Sequence, residues 1–402
     1  MKEILFRAGS GISPFRSEEK SRYPALNRDE DCQVLILGGG LCGLILAAVC
    51  VQHGWRTTVV TQGLMGGRRC RYSDGLLRCE LPGGLDGLRR KVGNRAALSA
   101  WKTMYDGLKG LSALVRKTDL RCEFRIRDSL LFSETEQGRE TLREEYLLRR
   151  HSEFPVRFLE KEEGQEMFSF PLSGGLLAEN AGVELNPVAF ARDLASWLSV
   201  TGCILHENTR IELLKGENDG IVCRGNKKQL RAEMVIDARG AFALESRPEL
   251  GRTETVFRIA TGPGQSFSGW DRQCLLTDTD TGIRMRTTPD GRLMASGQES
   301  RLLLPCARKD SGLLRRRRYR MLEEMLAEMF LGANNEESVL RFCQTQVSTP
   351  DGLPYFGADP ELKGLYYVWC FGENGLLFAE PAGQFLCAHF AGKGDLPPFY
   401  SV

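Results

Sequence analysis

The sequence predicts an α/β protein: a Rossmann-like parallel sheet interleaved with a second, discontinuous α+β domain whose sheet is mixed and largely antiparallel. Three observations predict it. The apolar run DCQVLIL ends in Gly38-x-Gly40-x-x-Gly43 and opens into an apolar, small-residue helix. The β-rich run TTVV at 57–60 follows at the distance of a strand–helix–strand unit. Similar pieces recur in the middle and at the C-terminus, separated by segments with antiparallel character.

The elements follow in order. Residues 1–29 read as an irregular lead-in, and 32–37 as the first strand. A helix runs from the glycine turn to His53, and Gly54 is placed to end it in the left-handed region. Residues 56–60 form the next strand. The Gly- and Arg-rich stretch 63–87 is long for a simple connection and reads as a site-lining loop. Helices are predicted over 94–116 and 136–151, with a strand at 121–132. Asn186 caps a helix that begins with Pro187 at its first turn. Strands follow at 203–206, 209–215, 219–224 and 232–237. Antiparallel strands follow at 252–260, 273–278, 282–287 and 292–297, the last two joined by a turn at Pro289-Asp290-Gly291. The basic run LLRRRRYR lies in a helix over 308–330 and reads as its solvent face. A strand at 364–370, a turn at 372–375 and a helix over 376–391 close the chain.

Composition narrows the function classes. The chain has 402 residues and a formal net charge of +2, which gives no electrostatic footprint for nucleic acid. Thirteen cysteines show no C-x-x-C spacing, and there are only four histidines. Structural zinc is not expected, and no metal site is predicted. The cysteines read as small buried apolar residues of a reducing compartment. Cys42, inside the glycine motif, has no dithiol partner near it in sequence, so nothing marks it as redox-active. No apolar stretch is long enough to span a bilayer, and the polar N-terminus is not a signal peptide. A cytoplasmic protein without membrane or nucleic-acid partners is the expectation.

The glycine motif carries the chemistry. Gly38 permits a tight turn, Gly40 lets phosphates approach the backbone, and Gly43 lets the helix pack on the sheet. The helix N-terminus then faces the pyrophosphate charge. A carboxylate is expected at the end of the second strand, to accept from the ribose hydroxyls. Here that stretch reads TTVVTQ, so Thr61 stands in its place. Losing a charge-assisted hydrogen bond costs about 1.5–3 kcal/mol, roughly ten- to a hundredfold in affinity.

Several stretches resemble the D-amino-acid oxidase superfamily of FAD-dependent oxidoreductases, closest to its glycine oxidase-like and gamma-glutamylputrescine oxidase-like members. They are YPAL before the first strand, VLILGGGLCG, the loop 63–85, VELNPVAFARDLA, VIDARGA, RTTPDGRLMASGQE, DGLPYFG and CFGENGLLF. The likeness covers most of the chain. It implies non-covalent FAD and a discontinuous cofactor domain at 30–87, 155–245 and 345–395. The substrate domain would comprise 88–154 and 246–344. It further implies oxidation of an amine or amino acid to an imine by hydride transfer to flavin N5. Gly38, Gly40 and Gly43 would serve the pyrophosphate, with Thr61 at the ribose position. Arg68 and Arg69 would sit by the pyrophosphate and flavin, and Arg210 or Ile211 would offer backbone to the adenine. Gly240 would let the chain pass close to the cofactor. Gly372, Asn374 and Gly375 would present a helix N-terminus to the ring.

The sequence departs from the family pattern at particular positions. Thr61 replaces an acid, and Arg68-Arg69 replaces small residues. FCQTQVSTP replaces a segment made with Trp, Gly and small residues, and Cys370 and Glu373 replace glycines. Glu373 would also bring negative charge to the ring. Arg284 lies where the family often has an aromatic side chain. Two readings stand. Arg68, Arg69, Arg284 and Arg286 form an anion pocket, with Arg284 and Arg286 as the substrate-anion candidates. Alternatively, the fold serves as a non-catalytic binding or scaffold subunit with weakened or lost FAD binding, as a homo-oligomer or beside a protein partner. No catalytic acid–base pair is legible.

Overall fold

The run that ends in the glycine cluster forms the centre of a parallel sheet, as its unbroken apolar character requires. The computed structural model describes residues 9–15, 20–217, 220–240, 248–264, 270, 274–300, 312–330 and 339–397. Strand β2 (Glu30–Leu37) pairs in parallel with β3 (Thr57–Val60) on one side and with β11 (Lys228–Asp237) on the other. β3 continues to β8 (Ile204–His206), and β11 to β18 (Leu365–Trp369) and the antiparallel β17 (Tyr355–Ala358). Strands β9 (Ile211–Glu217) and β10 (Gly220–Gly225) join through β11 as a meander. The strand order turns back at β2, which makes its carboxyl end the switch point of the sheet.

Helix α1 (Leu41–Gln52) is apolar on almost every side and is correspondingly sandwiched. It packs on the sheet, on α7 (Pro187–Val200) and on α9 (Ala379–Phe390). Asn186 caps α7 through Ala189 N at 3.1 Å, with Pro187 in the first turn. Gly54, at φ +83°, ends α1 as its position predicts.

A second sheet holds ten strands among the described residues. Its long run is β1 (Gly9–Gly11), β16 (Leu340–Ser348), β12 (Arg252–Ala260), β15 (Leu293–Ser300), β14 (Ile283–Thr287), β13 (Leu275–Asp278), β5 (Arg125–Ser133), β7 (Gly174–Glu184) and β4 (Leu76–Arg78). The tenth, β6 (Val156–Glu160), pairs with β7. One face carries Phe257, Ile259, Met285, Ala295 and Leu276, packed against Tyr319, Leu322 and Leu326 of α8 (Gly312–Met329). The basic run therefore lies on a surface helix, with Arg316, Arg317 and Arg320 exposed. Pleat alternation turns Arg258, Ser296, Arg284 and Thr277 to the opposite face, in one cross-strand row.

Several boundaries differ from the sequence reading. Strands β6 and β7, not read as strands in the sequence, lie within 155–245 and pair in the ten-stranded sheet. The Gly- and Arg-rich stretch 63–87 is more than a loop: it holds α2 (Gly67–Cys70), β4 and the start of α3 (Gly84–Val92). Its β character was hidden because Leu76–Arg78 is too short to show alternation.

Arg149, at the end of α5 (Glu136–His151), locks these parts together. It is fully buried and sits 4.5 Å from the ring centre of Trp101, on α4 (Asn94–Thr118). Its Nη1 and Nη2 donate to the Glu80 carboxylate at 2.6 and 2.7 Å, and its Nε to Glu145 at 2.7 Å. Glu145 in turn accepts from Leu85 N at 2.6 Å and Asp86 N at 3.2 Å, capping the first turn of α3. Removing one member of such a buried cluster leaves an uncompensated charge. Arg149→Met is expected to lose about 3–5 kcal/mol of stability in urea unfolding. A change under about 1 kcal/mol would show that the cluster does not hold the fold.

Candidate functional site

The turn after β2 takes its shape from its glycines. Gly38 has φ +118°, and a Cβ there would meet Ala238 O at 2.8 Å. A Cβ at Gly43 would lie 1.8 Å from Gly38 O, so only glycine lets α1 close on the turn. Gly40 differs: a Cβ on it would meet nothing within 4 Å. No side chain caps the first turn of α1, and no acidic residue stands in it. Its first N–H groups therefore have no side-chain cap. The α2 loop leans on the turn, with Gly66 N donating to Gly39 O at 2.6 Å. Gly67, Gly240 and Gly372 also have positive φ, with no atom closer than 3.8 Å to a built Cβ.

Beyond the turn, Thr61 lies at the end of β3 with its backbone engaged. Its N–H donates to His206 O at 2.9 Å, and its carbonyl accepts from Thr209 N at 2.9 Å. Arg210 and Ile211 follow directly after Thr209. Arg210 is exposed, while Ile211 packs partly buried and pairs with Gly225. A carboxylate missed in the sequence stands on the adjoining strand end. Glu207 is buried, and accepts from Ser21 Oγ at 2.7 Å, Arg22 N at 2.8 Å, Tyr23 N at 3.3 Å and Met65 N at 2.7 Å. Backbone donors occupy both of its oxygens. It ties the lead-in and the α2 loop to the sheet and leaves the ribose position without an acid.

The C-terminal segment is clasped from the other sheet. Asn374 Oδ1 accepts from Arg78 N at 2.9 Å, and Nδ2 donates to Glu80 O at 2.8 Å. Gly372 N donates to Val347 O at 2.8 Å. Arg69 reaches the same strand, its Nη2 donating to Thr345 O, while Gln344 Nε2 donates to Arg69 O at 3.1 Å. Gly375 is forced to be glycine by the Cys370 carbonyl, 2.8 Å from a built Cβ. A 3-10 turn over Gly375–Phe378 then leads into α9, so the final helix starts later than the sequence suggested.

Between the sheets lies a buried cluster of alternating charge. Glu373 Oε1 accepts from Arg78 Nη2 at 2.6 Å and Arg284 Nε at 2.9 Å. Arg284 Nη2 also donates to Glu299 at 2.5 Å. Asp74 pairs with Arg258 Nε at 3.2 Å. Burial pushes the Asp74 carboxyl up, but the Arg258 and Arg284 guanidiniums outweigh it and hold it at about 2. Glu299 is likewise held low by Arg284 against its burial. Arg78 Nε and Arg258 Nη1 are buried without a protein partner.

These placements sort the expected site residues. The structure gathers Gly38, Gly40, Gly43, Thr61, Arg69, Gly240, Gly372, Asn374 and Gly375 along the carboxyl edge of the parallel sheet and the segments tied to it. The Arg68 side chain lies outside the described residues. Of the two arginines named for a substrate anion, Arg284 already holds two carboxylates. Arg286 is buried, and its Nη1 donates to Asp74 O, Gly75 O and Leu185 O at 3.0, 2.6 and 3.0 Å. It braces backbone. The charge expected from Glu373 is neutralised by two guanidiniums. Asp74, Arg78, Arg258 and Glu299 were missed because their partners are distant in sequence. Among the described residues, no group of three or more His, Cys, Asp or Glu side chains is placed to hold a metal. None of the described helices is long and apolar enough to cross a membrane.

The family profile described as DAO, FAD dependent oxidoreductase, matches residues 33–389. A glycine oxidase from Bacillus licheniformis is 22% identical over 370 residues, covering 89% of this chain and 93% of that protein. The crystal structure of glycine oxidase from Geobacillus kaustophilus superposes with a TM-score of 0.72 at 20% identity, over 92% of this chain and 98% of that one. L-amino acid deaminase from Proteus vulgaris superposes with a TM-score of 0.73 at 14% identity, over 95% and 98% of the two chains. These structures share the fold.

The glycine geometry separates two substitutions. Gly40 has φ −76° and ψ 178°, which any residue adopts. Gly40→Val is expected to keep folding stability within about 1 kcal/mol while lowering FAD affinity at least about tenfold by blocking phosphate approach. Gly43→Val is expected to lose both. Thermal melting and FAD titration read the two effects, and wild-type affinity in Gly40→Val would remove the phosphate role of the turn.

Proposed function

Because the chain belongs to the FAD-dependent oxidoreductase family, we propose that it binds FAD non-covalently and oxidises an amino acid at the carbon bearing nitrogen. The pyrophosphate end fits that cofactor. Gly40 leaves room for it, the uncapped start of α1 offers N–H donors, and Gly38 and Gly43 shape the turn. When bound, FAD supplies the oxidant that takes a hydride at N5 and leaves an imine. The chain's part is to bind, orient and balance charge.

One observation carries the substrate reading: the buried cluster offers both signs of charge in one place. Arg78, Arg258 and Arg284 face Asp74, Glu299 and Glu373. A zwitterion complements such a cluster at both ends. Its carboxylate meets guanidinium N–H groups, of which Arg258 Nη1 and Arg78 Nε lack protein partners. Its ammonium meets a carboxylate. An amine without a carboxylate leaves those donors unsatisfied, at a cost of about 1–3 kcal/mol for each buried donor. Arg284 sits between Glu373 and Glu299, and so couples the substrate side to the C-terminal segment. Asn374 holds that segment in place through its two hydrogen bonds to the Arg78–Glu80 backbone.

The test is anaerobic mixing of the FAD-loaded protein with amino acids and with the amines formed by removing their carboxylate. At least one amino acid is expected to bleach the oxidised flavin absorption, at least about tenfold faster than its decarboxylated counterpart. Faster bleaching by the amines would overturn the zwitterion reading. No bleaching by any member, with normal reduction by dithionite, would favour the non-catalytic reading.

A further inference from the structure

The fold brings together two cysteines that are 328 positions apart in sequence. Cys42 Sγ lies 3.3 Å from Cys370 Sγ and 3.8 Å from Val368 O. Cys42 is the second residue of α1, inside the glycine turn. Cys370 directly follows β18 and begins the segment that carries Gly372, Glu373 and Asn374. We propose that Cys42 and Cys370 form a redox pair, oxidised by peroxide to a disulfide that ties the glycine turn to the C-terminal segment.

Position and access support the pair. As whole residues Cys42 and Cys370 are only partly buried, whereas the other ten free cysteines among the described residues are buried. A second close pair, Cys50 and Cys387, lies 3.9 Å apart between α1 and α9, with both side chains buried. In the proposal, peroxide enters at the less buried residue, Cys42, and the second pair has no such entry. The sulfurs of Cys42 and Cys370 must close from 3.3 Å to a bond of about 2.05 Å. Cys370 lies just past the end of β18, in the turn where Gly372 has φ +82° and donates its N–H to Val347 O at 2.8 Å.

The step balances without a further reagent. One thiol attacks peroxide, giving a sulfenic acid and one water. The second thiol attacks that sulfur, forming the S–S bond and releasing a second water. Two electrons leave the pair of thiols and reduce one peroxide to two waters. A flavin-dependent oxidase that uses oxygen generates this oxidant itself, but the reaction requires only that peroxide be present.

The disulfide would span the two segments that flank the dinucleotide cradle. The experiment treats the purified protein with hydrogen peroxide, alkylates the remaining thiols under denaturing conditions and maps cross-linked peptides by mass spectrometry. A Cys42–Cys370 cross-link, two hydrogens lighter than the reduced peptides and reversed by a dithiol reductant, is expected. Cys42→Ser and Cys370→Ser should each abolish it, and Cys50→Ala should leave it intact. Preferential Cys50–Cys387 cross-linking, or oxidation of Cys42 to sulfinic acid without a cross-link, would overturn the proposal. Complete resistance of both thiols would overturn it too. The peptide map reads the pair with or without FAD, so its failure is distinct from a failure of the proposed cofactor reading. Should either serine variant not fold, the cross-link in the unmodified chain still decides.

Discussion

The arrangement rests on one side chain acting as backbone. Asn374 presents an acceptor to Arg78 N–H and a donor to Glu80 C=O, at 2.9 and 2.8 Å. It thereby completes the pairing of a strand that ends at Arg78 and joins it to the start of the last helical segment. The two residues it clasps carry the two buried charge clusters. Arg78 leads through Glu373 to Arg284 and Glu299. Glu80 leads through Arg149 to Glu145 and the cap of α3. A short stretch of chain thus ties the ten-stranded sheet, α5 and the C-terminal turn into one unit.

Buried ions explain why the clasp must be rigid. Taking a charge out of water costs several kcal/mol even after relaxation, and only close pairing offsets it. Each carboxylate of the two clusters has at least one guanidinium at 2.5–3.2 Å. Held this way, the cluster keeps both signs of charge beneath the cofactor-type edge. Some donors remain unsatisfied, which suits a site that waits for a ligand better than a closed structural core. The same logic corrects the expectation for Glu373. In sequence it is an extra negative charge; in the fold it is the bridge between two arginines.

Local patterns made much of the fold legible. The DCQVLIL run, the Gly38–Gly43 spacing and the Asn186-Pro187 start each carry their structural cause within a few residues, and each element formed where expected. The strand at Leu76–Arg78 carries no such signal, being too short to show a period. Strands β6 and β7 were not read as strands in the sequence, and pairing partners are not written into a strand's own residues. The candidate site divides the same way. The shape of the glycine turn is local and was readable. The Arg78–Glu373–Arg284 bridge, the Asp74–Arg258 pair, the Glu207 clasp and the Cys42–Cys370 contact join residues far apart in sequence, and only the topology brings them together.

In the proposed reading, the clasped segment and the glycine turn together hold FAD while the charge cluster remains intact. A crystal structure of the protein grown with FAD tests it most directly. The pyrophosphate is expected at the N-terminus of α1, with Glu373 still paired to Arg78 and Arg284 and Asn374 still bonded to the Arg78–Glu80 backbone. Crystals without FAD at that turn, or with FAD bound only after the Glu373 bridge and the Asn374 clasp have come apart, would contradict it.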